Sequence, residues 1–503
     1  MTRVNDGDLA VFREVVERRL GLSFDDAKLE MLREVFARRL LAGSDAARAY
    51  LATLDDDEKN AAELRELGRE LTVGETYFFR HREQFAAFSE VALPDRLQRD
   101  RSPRELRILS AGCASGEEPY SIAVRVLSHG IPLGVRVSIR GVDVNPVALE
   151  KAKRARYSAW SLRETSAEDR SRWFITQGRD HVLPTEVQEL VSFEQGNLAD
   201  DDSPLFAPDT YDIVFCRNVL MYFSPTRTID VIARLARSLL PGGYLFLGHA
   251  ETLRGLSHDF HLQHTHNAFY YRRKGVLEPN TVVAPAGPPP PAARAPDASW
   301  VGTWLDTVQR TSERIERLTH RAPVGAAGHP AAPIGVRADL GLVLDLLRHE
   351  RFAEALTALR ELSTSPERDP DATLLRAALL THSGELDAAE AVCRELLSHD
   401  ELNAGAHYLL ALSDERRGNL PQAVEHDRIA AYLDATFAMP RLHLGLIARR
   451  TGDRESARRE LGQAIALLQR EETSRLSLFG GGFGRDGLIA LCRSALEQLG
   501  GAA

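Results

Sequence analysis

The sequence predicts three structural classes in succession: an all-α segment, an α/β segment and an α-helical repeat solenoid. Three observations predict them: one-sided apolar stripes at helical spacing, an alternation of strand and helix patterns, and residues that recur every 34 positions. At 503 residues the chain is too long for a single hydrophobic core. We therefore expect four parts: 1–90 helical, 91–273 α/β, 274–335 linker and 336–503 repeats.

The first 90 residues carry apolar stripes with the spacing of amphipathic helices. A polar, charged face accompanies each stripe, so we expect these helices to pack on one side only. The two clearest stripes are Leu9, Phe12, Val15, Val16 and Leu20, and then Leu29, Leu32, Val35, Phe36 and Leu40.

Strand and helix patterns alternate between residues 91 and 273, which favours a parallel or mostly parallel sheet. The expected strands are Arg107–Ser110, Val135–Val142, Leu190–Glu194, Tyr211–Cys216, Tyr244–Gly248 and Phe269–Arg272. The expected helices are Glu118–Ser128, Val147–Ala155 and Thr226–Leu239. One connection is too long for a single helix, and we expect a small inserted subdomain at about 157–191.

The last third begins after a segment rich in Pro and Ala, with four consecutive prolines from Pro288, which is typical of an extended linker.

A period of 34 with small residues and turn glycines is the tetratricopeptide signature, and such arrays present a concave groove to a peptide or helix. We expect Leu488–Leu496 to form a capping helix. The recurring columns are Ala355, Ala389, Ala423 and Ala457; Gly384, Gly418 and Gly452, with Glu350 in the first repeat; and Leu340, Leu374, Tyr408 and Leu442.

Composition excludes several classes of protein. The net charge of -9 disfavours an extended nucleic-acid surface. The four cysteines are scattered without a CxxC pair, so neither a disulfide framework nor a zinc knuckle is expected. A signal peptide and an 18-residue apolar run are absent from the sequence, so we expect a cytoplasmic protein without membrane insertion. No metal is expected, because the following histidines lie in a predicted loop without cysteine or acidic partners: His258, His261, His264 and His266, with His249 nearby.

The loop from Ser110 to Gly116 follows an expected strand and precedes an expected helix. Its glycines permit a tight turn and close approach of a ligand, and the helix N-terminus offers free amides. Asp143 ends the next strand, where a carboxylate accepts hydrogen bonds from ribose hydroxyls. The alternatives are a simple strand–helix turn for the loop and a helix start for Asp143.

The charge beside this loop argues against a dinucleotide. The glycine spacing is not GxGxxG, and Glu117 and Glu118 follow the last glycine. Negative charge repels a pyrophosphate and attracts a cation. S-adenosylmethionine carries a sulfonium and an ammonium group, so it suits these acidic residues better.

With these motifs in place, residues 1–273 resemble the CheR family of chemoreceptor glutamate methyltransferases. The resemblance implies a helical domain, then a Rossmann-like methyltransferase domain with a β-rich insertion, and S-adenosylmethionine bound between the two main domains. In some members the insertion binds a receptor tail peptide, a question that this sequence leaves open. The matching blocks are FFR at Phe78–Arg80, GEEPYS at Gly116–Ser121, CRNV at Cys216–Val219 and PGGYLFLGHAE at Pro241–Glu251.

The resemblance also implies which residues contact the cofactor. Many members have Asn where Gly74 stands, so a side-chain contact is lost there, and a contact through the Gly74 backbone stays an open question. Between Glu117 and Glu118 the choice of the acidic contact stays open. The implied set is Gly74, Thr76, Arg80, Glu117 or Glu118, Asp143, Asn197, Leu198, Asn218 and Val219.

The reaction implied is methyl transfer from S-adenosylmethionine to glutamate side chains of a chemoreceptor cytoplasmic domain. Arg80 and Tyr222 are the candidate catalytic residues, both as hydrogen-bond donors to the substrate carboxylate. An interdomain salt bridge for Arg80 and a packed core position for Tyr222 are the structural alternatives. The repeats are expected to recruit a peptide or protein partner or to regulate activity. The competing hypothesis is a catalytically weak, cofactor-binding scaffold that acts through its repeats.

Overall fold

A computed structural model of the chain describes residues 4–275, apart from 25, 41–43, 56–60, 73, 100–104 and 201–202, and then 343, 346, 352–362, 370–480 and 483–500. Contacts divide the chain into two compact units, one built from the N-terminal helices and the sheet, the other from the C-terminal helices. The expected linker 274–335 lies outside the described residues from 276 onwards. No helix in the described ranges is long and apolar enough to cross a membrane.

The N-terminal part is a group of four helices with one shared core. Helix α1 begins after Asn5, whose side chain accepts a hydrogen bond from the backbone N–H of Asp8, and ends at Gly21 with a φ of 76°. The rings of Phe12 and Phe36 stack in the core with centroids 4.4 Å apart, as the expected stripes require. The helices are α1 (Asp6–Leu20), α2 (Leu29–Arg39), α3 (Ser44–Asp55) and α4 (Ala61–Leu71).

A continuous helical segment connects these helices to the sheet. It consists of α5 (Arg82–Ala87), a π-helical turn (Phe88–Ala92) and α6 (Leu93–Leu97). Its buried side chains, among them Phe85 and Phe88, belong to the core of the sheet. The segment crosses residue 90, where the sequence pattern placed a domain boundary.

Seven described strands form one sheet in the order β6-β2-β1-β7-β8-β10-β9. The five strands from β6 to β8 are parallel, and β10 is antiparallel to β8 and β9, so the mostly parallel α/β prediction is confirmed. The strands are β1 (Glu105–Ala111), β2 (Arg136–Asp143), β6 (Val191–Gln195), β7 (Tyr211–Cys216), β8 (Leu239–Leu247), β9 (Phe260–Thr265) and β10 (Ala268–Arg273). The helices that connect the parallel strands are α7 (Glu117–His129), α8 (Pro146–Arg154) and α11 (Pro225–Ser238).

The chain order changes direction at β1, because β2 and β7 lie on opposite sides of it. Such a switch point opens a crevice at the carboxyl ends of the strands, where ligands bind in open α/β sheets. The connection after α8 contains a second, three-stranded antiparallel sheet in the order β3-β5-β4. Its elements are β3 (Arg156–Ser158), α9 (Ala167–Trp173), β4 (Ile175–Gln177), β5 (Asp180–Val182) and α10 (Thr185–Gln188).

Strand β9 was missed by the sequence patterns. The histidines His261 and His264 lie on it, not in a loop, and β9 pairs with β10 over six residues. The side chains of β9 become less buried from Phe260 to Thr265, and polar residues occur on both faces of the strand. The sequence therefore lacks the alternation of apolar and polar residues that predicts a strand. Among the described residues no group of three His, Cys, Asp or Glu side chains is placed to hold a metal ion.

The C-terminal unit is a helical repeat solenoid, as predicted. The three recurring glycines Gly384, Gly418 and Gly452 all have a φ of +84° and end the first helix of a pair. The recurring alanines Ala355, Ala389, Ala423 and Ala457 are all fully buried, which explains why the column contains small residues. Leu340 and Glu350 of the first repeat lie outside the described residues.

The described helices of this unit follow the period of the sequence. They are α12 (Phe352–Leu362), α13 (Pro370–Ser383), α14 (Leu386–His399), α15 (Ala404–Arg416), α16 (Leu420–Leu433), α17 (Ala438–Thr451), α18 (Arg454–Leu468), α19 (Thr473–Phe479) and α20 (Arg485–Gly500). Helix α20 contains the expected capping segment and packs on α18 and α17. Helix α19 begins within one residue of where the period places the next inner helix but ends after seven residues, and it was not predicted.

Candidate cofactor site

A cavity of about 1060 Å³, measured with its open mouth, lies in the first unit beside the carboxyl ends of the parallel strands. Its walls come from the loops after β1, β2, β6 and β7, and from residues near the ends of α1 and α4. The cavity therefore lies at the switch point of the sheet and borders the N-terminal helices.

The loop after β1 shapes the floor of the cavity. Gly112 has a φ of +77°, and a Cβ placed there would lie 2.4 Å from Cγ2 of Val219. Gly116 has a φ of +90°, and a Cβ there would lie 2.7 Å from the Cβ of Ala152. Both glycines are required by conformation and by space, since an L-residue would be strained and would also collide.

Asp143 joins two loops at the end of β2. Its Oδ2 accepts a hydrogen bond of 2.8 Å from the backbone N–H of Ala114, and its Oδ1 accepts one of 2.8 Å from Asn145. Burial raises the pKa of Asp143, and the backbone donors oppose that shift. The helix start belongs to Asn145, whose side chain accepts from the N–H groups of Val147 and Ala148 at 3.0 and 3.1 Å. Asp143 itself lines the cavity.

The two glutamates that begin α7 face in different directions. Glu118 lines the cavity, accepts a 2.8 Å hydrogen bond from Ser110 Oγ and lies 3.3 Å from the Arg217 guanidinium. Burial raises the pKa of Glu118, and Arg217 opposes the shift. Glu117 is 3% exposed and accepts from Ser115 Oγ and Ser161 Oγ, and it is not among the cavity-lining residues. Glu118 is therefore the acidic residue that faces the cavity.

The loop after β7 is held by one carboxylate. Glu251 accepts hydrogen bonds from the backbone N–H groups of Asn218 at 2.7 Å, Val219 at 2.9 Å and Leu220 at 2.9 Å. It also accepts one of 2.7 Å from Gly248. Asn218 has a φ of 59°, a left-handed conformation that costs free energy unless its surroundings hold it. Glu251 thus fixes the shape of a loop that lines the cavity.

Residues from the N-terminal part form the opposite wall. Asn197 Nδ2 donates a 3.3 Å hydrogen bond to the carbonyl of Arg19, at the end of α1. The backbone N–H of Ser23 donates to the carbonyl of Tyr222 at 2.8 Å, and Leu22 forms a β-bridge with Phe223. These backbone contacts bring Leu20 and Leu22 to the cavity together with Leu198.

The FFR block places its three side chains differently. Phe78 and Phe79 are buried in the core, and the backbone N–H of Phe79 donates to Ser121 Oγ at 3.0 Å. Arg80 lines the cavity and is half-buried, with Nη1 3.1 Å from the carbonyl of Glu75 and the guanidinium over the ring of Tyr77 at 5.7 Å. The phenylalanines therefore anchor a loop from which Arg80 reaches the cavity. No salt bridge between domains occupies Arg80 in the described part of the chain.

All of the sequence-predicted site residues except Glu117 line the cavity. They are Gly74, Thr76, Arg80, Glu118, Asp143, Asn197, Leu198, Asn218, Val219 and Tyr222. Two residues with clear roles were missed. Arg217 lies inside the CRNV block and Glu251 ends the PGGYLFLGHAE block, so the charged residue in each matched block was the available signal.

Comparison with known proteins gives a family for this arrangement. Residues 74–269 match the family model described as CheR methyltransferase, SAM binding domain. A chemotaxis protein methyltransferase of Vibrio cholerae is 30% identical over 277 residues, which cover 54% of this chain and 95% of that protein. The chain belongs to the CheR methyltransferase family.

Two further relatives extend the comparison. A chemotaxis protein methyltransferase of Salmonella typhimurium is 32% identical over 256 residues, or 50% of this chain and 85% of that protein. A probable biofilm formation methyltransferase, WspC, of Pseudomonas putida is 28% identical over 457 residues. That match covers 89% of this chain and 96% of the relative, so it includes the repeats. Through its CheR domain the chain is an S-adenosylmethionine-dependent methyltransferase.

The residues around the cavity fit this cofactor. Its methionine end carries an ammonium and a carboxylate, and Glu118 lies beside the guanidinium of Arg217, so both charges have a counterpart. Of the two acidic residues, Glu118 faces the cavity, and its cationic neighbour Arg217 was not anticipated from the sequence. Asn218 Oδ1 is buried without a hydrogen-bond partner among the described residues, and a ligand donor would satisfy it.

Proposed function

We propose that this CheR family member transfers methyl groups from S-adenosylmethionine to glutamate side chains of a chemoreceptor cytoplasmic domain. The products are glutamate methyl esters, which serve signalling adaptation. The observation that carries the proposal is one cavity lined by Glu118, Asp143 and Arg80. The names of the relatives, which include chemotaxis protein methyltransferases, support this class of substrate.

A glutamate substrate needs no general base, because its reference pKa of about 4.3 leaves it ionised at neutral pH. Bound S-adenosylmethionine supplies an electrophilic methyl group. The task of the protein is to desolvate the carboxylate, align it and exclude water. We assign Arg80 to hold that carboxylate by charge-assisted hydrogen bonds and Tyr222 to donate one more. Both line the same cavity, which supports a shared role.

For the cofactor we propose contacts that follow the walls of the cavity. Asp143 binds the ribose, since its carboxylate oxygens keep lone pairs beyond the two backbone bonds they accept. Glu118 takes the ammonium group. The remaining proposed contacts are Gly74, Thr76 and Arg80 on one side, and Asn197, Leu198, Asn218 and Val219 on the adenine side.

We also propose the division of the chain into a helical domain, a methyltransferase domain with its insertion, a linker and a repeat domain. The core residues Phe85 and Phe88 favour a first boundary before Arg82, not at residue 90. In this proposal the repeats recruit a partner or regulate the enzyme. Fusion raises the local concentration of whatever the repeats bind.

The decisive experiment is transfer of tritiated methyl groups to purified receptor cytoplasmic fragments. We expect label on glutamate that mild base releases as methanol, which is the mark of an ester. Label that resists base would contradict the proposal. Cofactor binding without any transfer would favour the competing scaffold hypothesis, and transfer to a small molecule would place the substrate in another class.

A further inference from the structure

The inner helix α15 of the repeat unit is buried on all sides. Nine of its thirteen residues are buried, including the consecutive run from Ala404 to Ala411. Its pair α16 has five buried residues out of fourteen, as expected for a helix with one solvent face. In a solenoid the inner face forms the binding surface, so an inner helix with so many buried residues indicates that something covers this surface.

The cover is the short helix α19, Thr473–Phe479, which belongs to the same chain. Phe479 is 1% exposed, and its Cζ lies 3.0 Å from the position that a Cβ of Gly405 would take. Its ring centroid lies 5.7 Å from that of Tyr408 and 5.0 Å from that of Phe437. Phe479 thus fills an aromatic pocket for which the glycine in α15 leaves room.

Polar contacts hold α19 at both ends. His382 Nε2 donates to the carbonyl of Leu478 at 2.9 Å, and the hydroxyl of Tyr408 donates to the carbonyl of Phe479 at 3.5 Å. Arg475 pairs with Asp434 and lies over the ring of Phe437 at 4.7 Å. Residues four apart share a helix face, so Arg475 and Phe479 are both directed at the inner surface.

The contacts of α19 set it apart from the inner helices of the repeats. It begins where the period of 34 places another inner helix, and Leu476 continues the column of Tyr408 and Leu442. It nevertheless lies against α13 and α15, since the carbonyl of Leu478 accepts from His382 and Phe479 packs at Gly405. The sequence from Gly480 to Gly484 reads GGGFG, so only one residue in five carries a side chain. Glycine has no Cβ to restrict its backbone, so Gly480 and Gly484 can change conformation when α19 leaves its site.

We propose that α19 is an intramolecular ligand that closes the groove of the repeat unit. An external partner must displace it, and the pocket selects a short helix with a basic residue four positions before an aromatic residue. This inference concerns the repeat unit alone and does not depend on methyl transfer.

The test uses the full chain and a labelled synthetic peptide of residues 470–484. In one variant, residues 473–479 are replaced by seven Gly and Ser residues. We expect the peptide to bind this variant at least about tenfold more tightly than the wild-type chain, because the tethered segment competes at high effective concentration. A peptide with Phe479→Ala should bind the variant at least about tenfold more weakly, since it lacks the anchor. Absence of peptide binding to a folded variant, or equal binding to both chains, would overturn the proposal.

Hydrogen exchange on the unmodified chain provides a second measurement that needs no variant. A displaceable segment opens locally, so the amides of Leu476–Gly480 should exchange at least about ten times faster than those of α15. Exchange of both segments at one common rate would mean that α19 leaves only when the array unfolds. That result would make α19 a fixed part of the fold and would overturn the proposal.

Discussion

The sheet region and the repeat unit use the same residue type for different purposes. Gly112 and Gly418 both have positive φ angles, +77° and +84°. A Cβ on Gly112 would lie 2.4 Å from Val219, whereas a Cβ on Gly418 would meet no atom within 4 Å. The first glycine leaves room for a neighbour at the cofactor cavity, and the second only permits a turn. Gly112 is therefore required by the space beside the cavity, whereas the recurring Gly418 is required by its turn alone.

The largest effect that this comparison predicts is at Arg80. Arg80→Ala should lower kcat for methyl transfer by roughly 100-fold or more, the scale for loss of a preorganised donor, while the fold persists. The matched control is Arg82→Ala, since Arg82 contacts only the exposed rim at Glu164 among its described partners. Initial rates with a receptor fragment and circular dichroism check both variants. Near-normal turnover of Arg80→Ala would remove this residue from the catalytic machinery.

The next effect separates the two kinds of glycine. Gly112→Ala should weaken S-adenosylhomocysteine binding by roughly 10- to 100-fold, since the added methyl group displaces Val219 from the cavity wall. Gly134→Ala is the control, because Gly134 has a φ of +78° and no atom within 4 Å of its Cβ position. Calorimetric titration measures both. An affinity of Gly112→Ala equal to that of the Gly134→Ala control would show that the space beside Val219 does not limit binding of this ligand.

A smaller effect is expected at Glu251, whose carboxylate holds the cavity loop by accepting hydrogen bonds from backbone N–H groups. In the Glu251→Gln variant the side chain keeps its size, but one carboxylate oxygen becomes an NH2 group that faces backbone N–H groups. The loop is then held less well, so KM for the cofactor should rise about tenfold with little change in kcat. Exposed Glu186→Gln should leave both constants unchanged. If Glu251 had only a structural role, Glu251→Gln would instead lower the melting temperature, and the folded protein would keep the wild-type KM.

The smallest effect is expected in the repeats. Gly418→Ala should destabilise the C-terminal unit by about 1 kcal/mol through its left-handed backbone alone, with methyl transfer unchanged. Hydrogen exchange of α15 and α16 measures the change in local opening. If Gly418→Ala lost as much S-adenosylhomocysteine affinity as Gly112→Ala, the distinction between the two regions would be abolished.

The sequence predicted most of the fold because its signals are periodic. Buried strands such as Ile213–Cys216 are continuous apolar runs, and the alanine column repeats without exception, so pattern and packing agree. Strand β9 escaped because its side chains are half-buried and polar. Helix α19 was missed because it has only seven residues and glycines follow it, although Leu476 continues the column of Leu442.

Most of the candidate site was predicted from motifs, and the exceptions have one cause. Sequence shows which charged residues are adjacent in the chain but not which way each side chain points. Glu117 and Glu118 are adjacent and identical in type, yet the Glu117 carboxylate accepts hydrogen bonds from two serines, whereas Glu118 lines the cavity. Glu251 lies about thirty residues from the loop it holds, and only the fold brings its carboxylate to those amides.

Calorimetric titration with S-adenosylhomocysteine tests the central claim most directly, because the demethylated product needs the same cavity as the cofactor. The wild-type chain should bind one molecule per chain, and Asp143→Asn should weaken binding by about tenfold, the scale for losing a charged acceptor to a ribose. Folded wild-type protein that takes up no ligand, or an Asp143→Asn variant with wild-type affinity, would contradict the account.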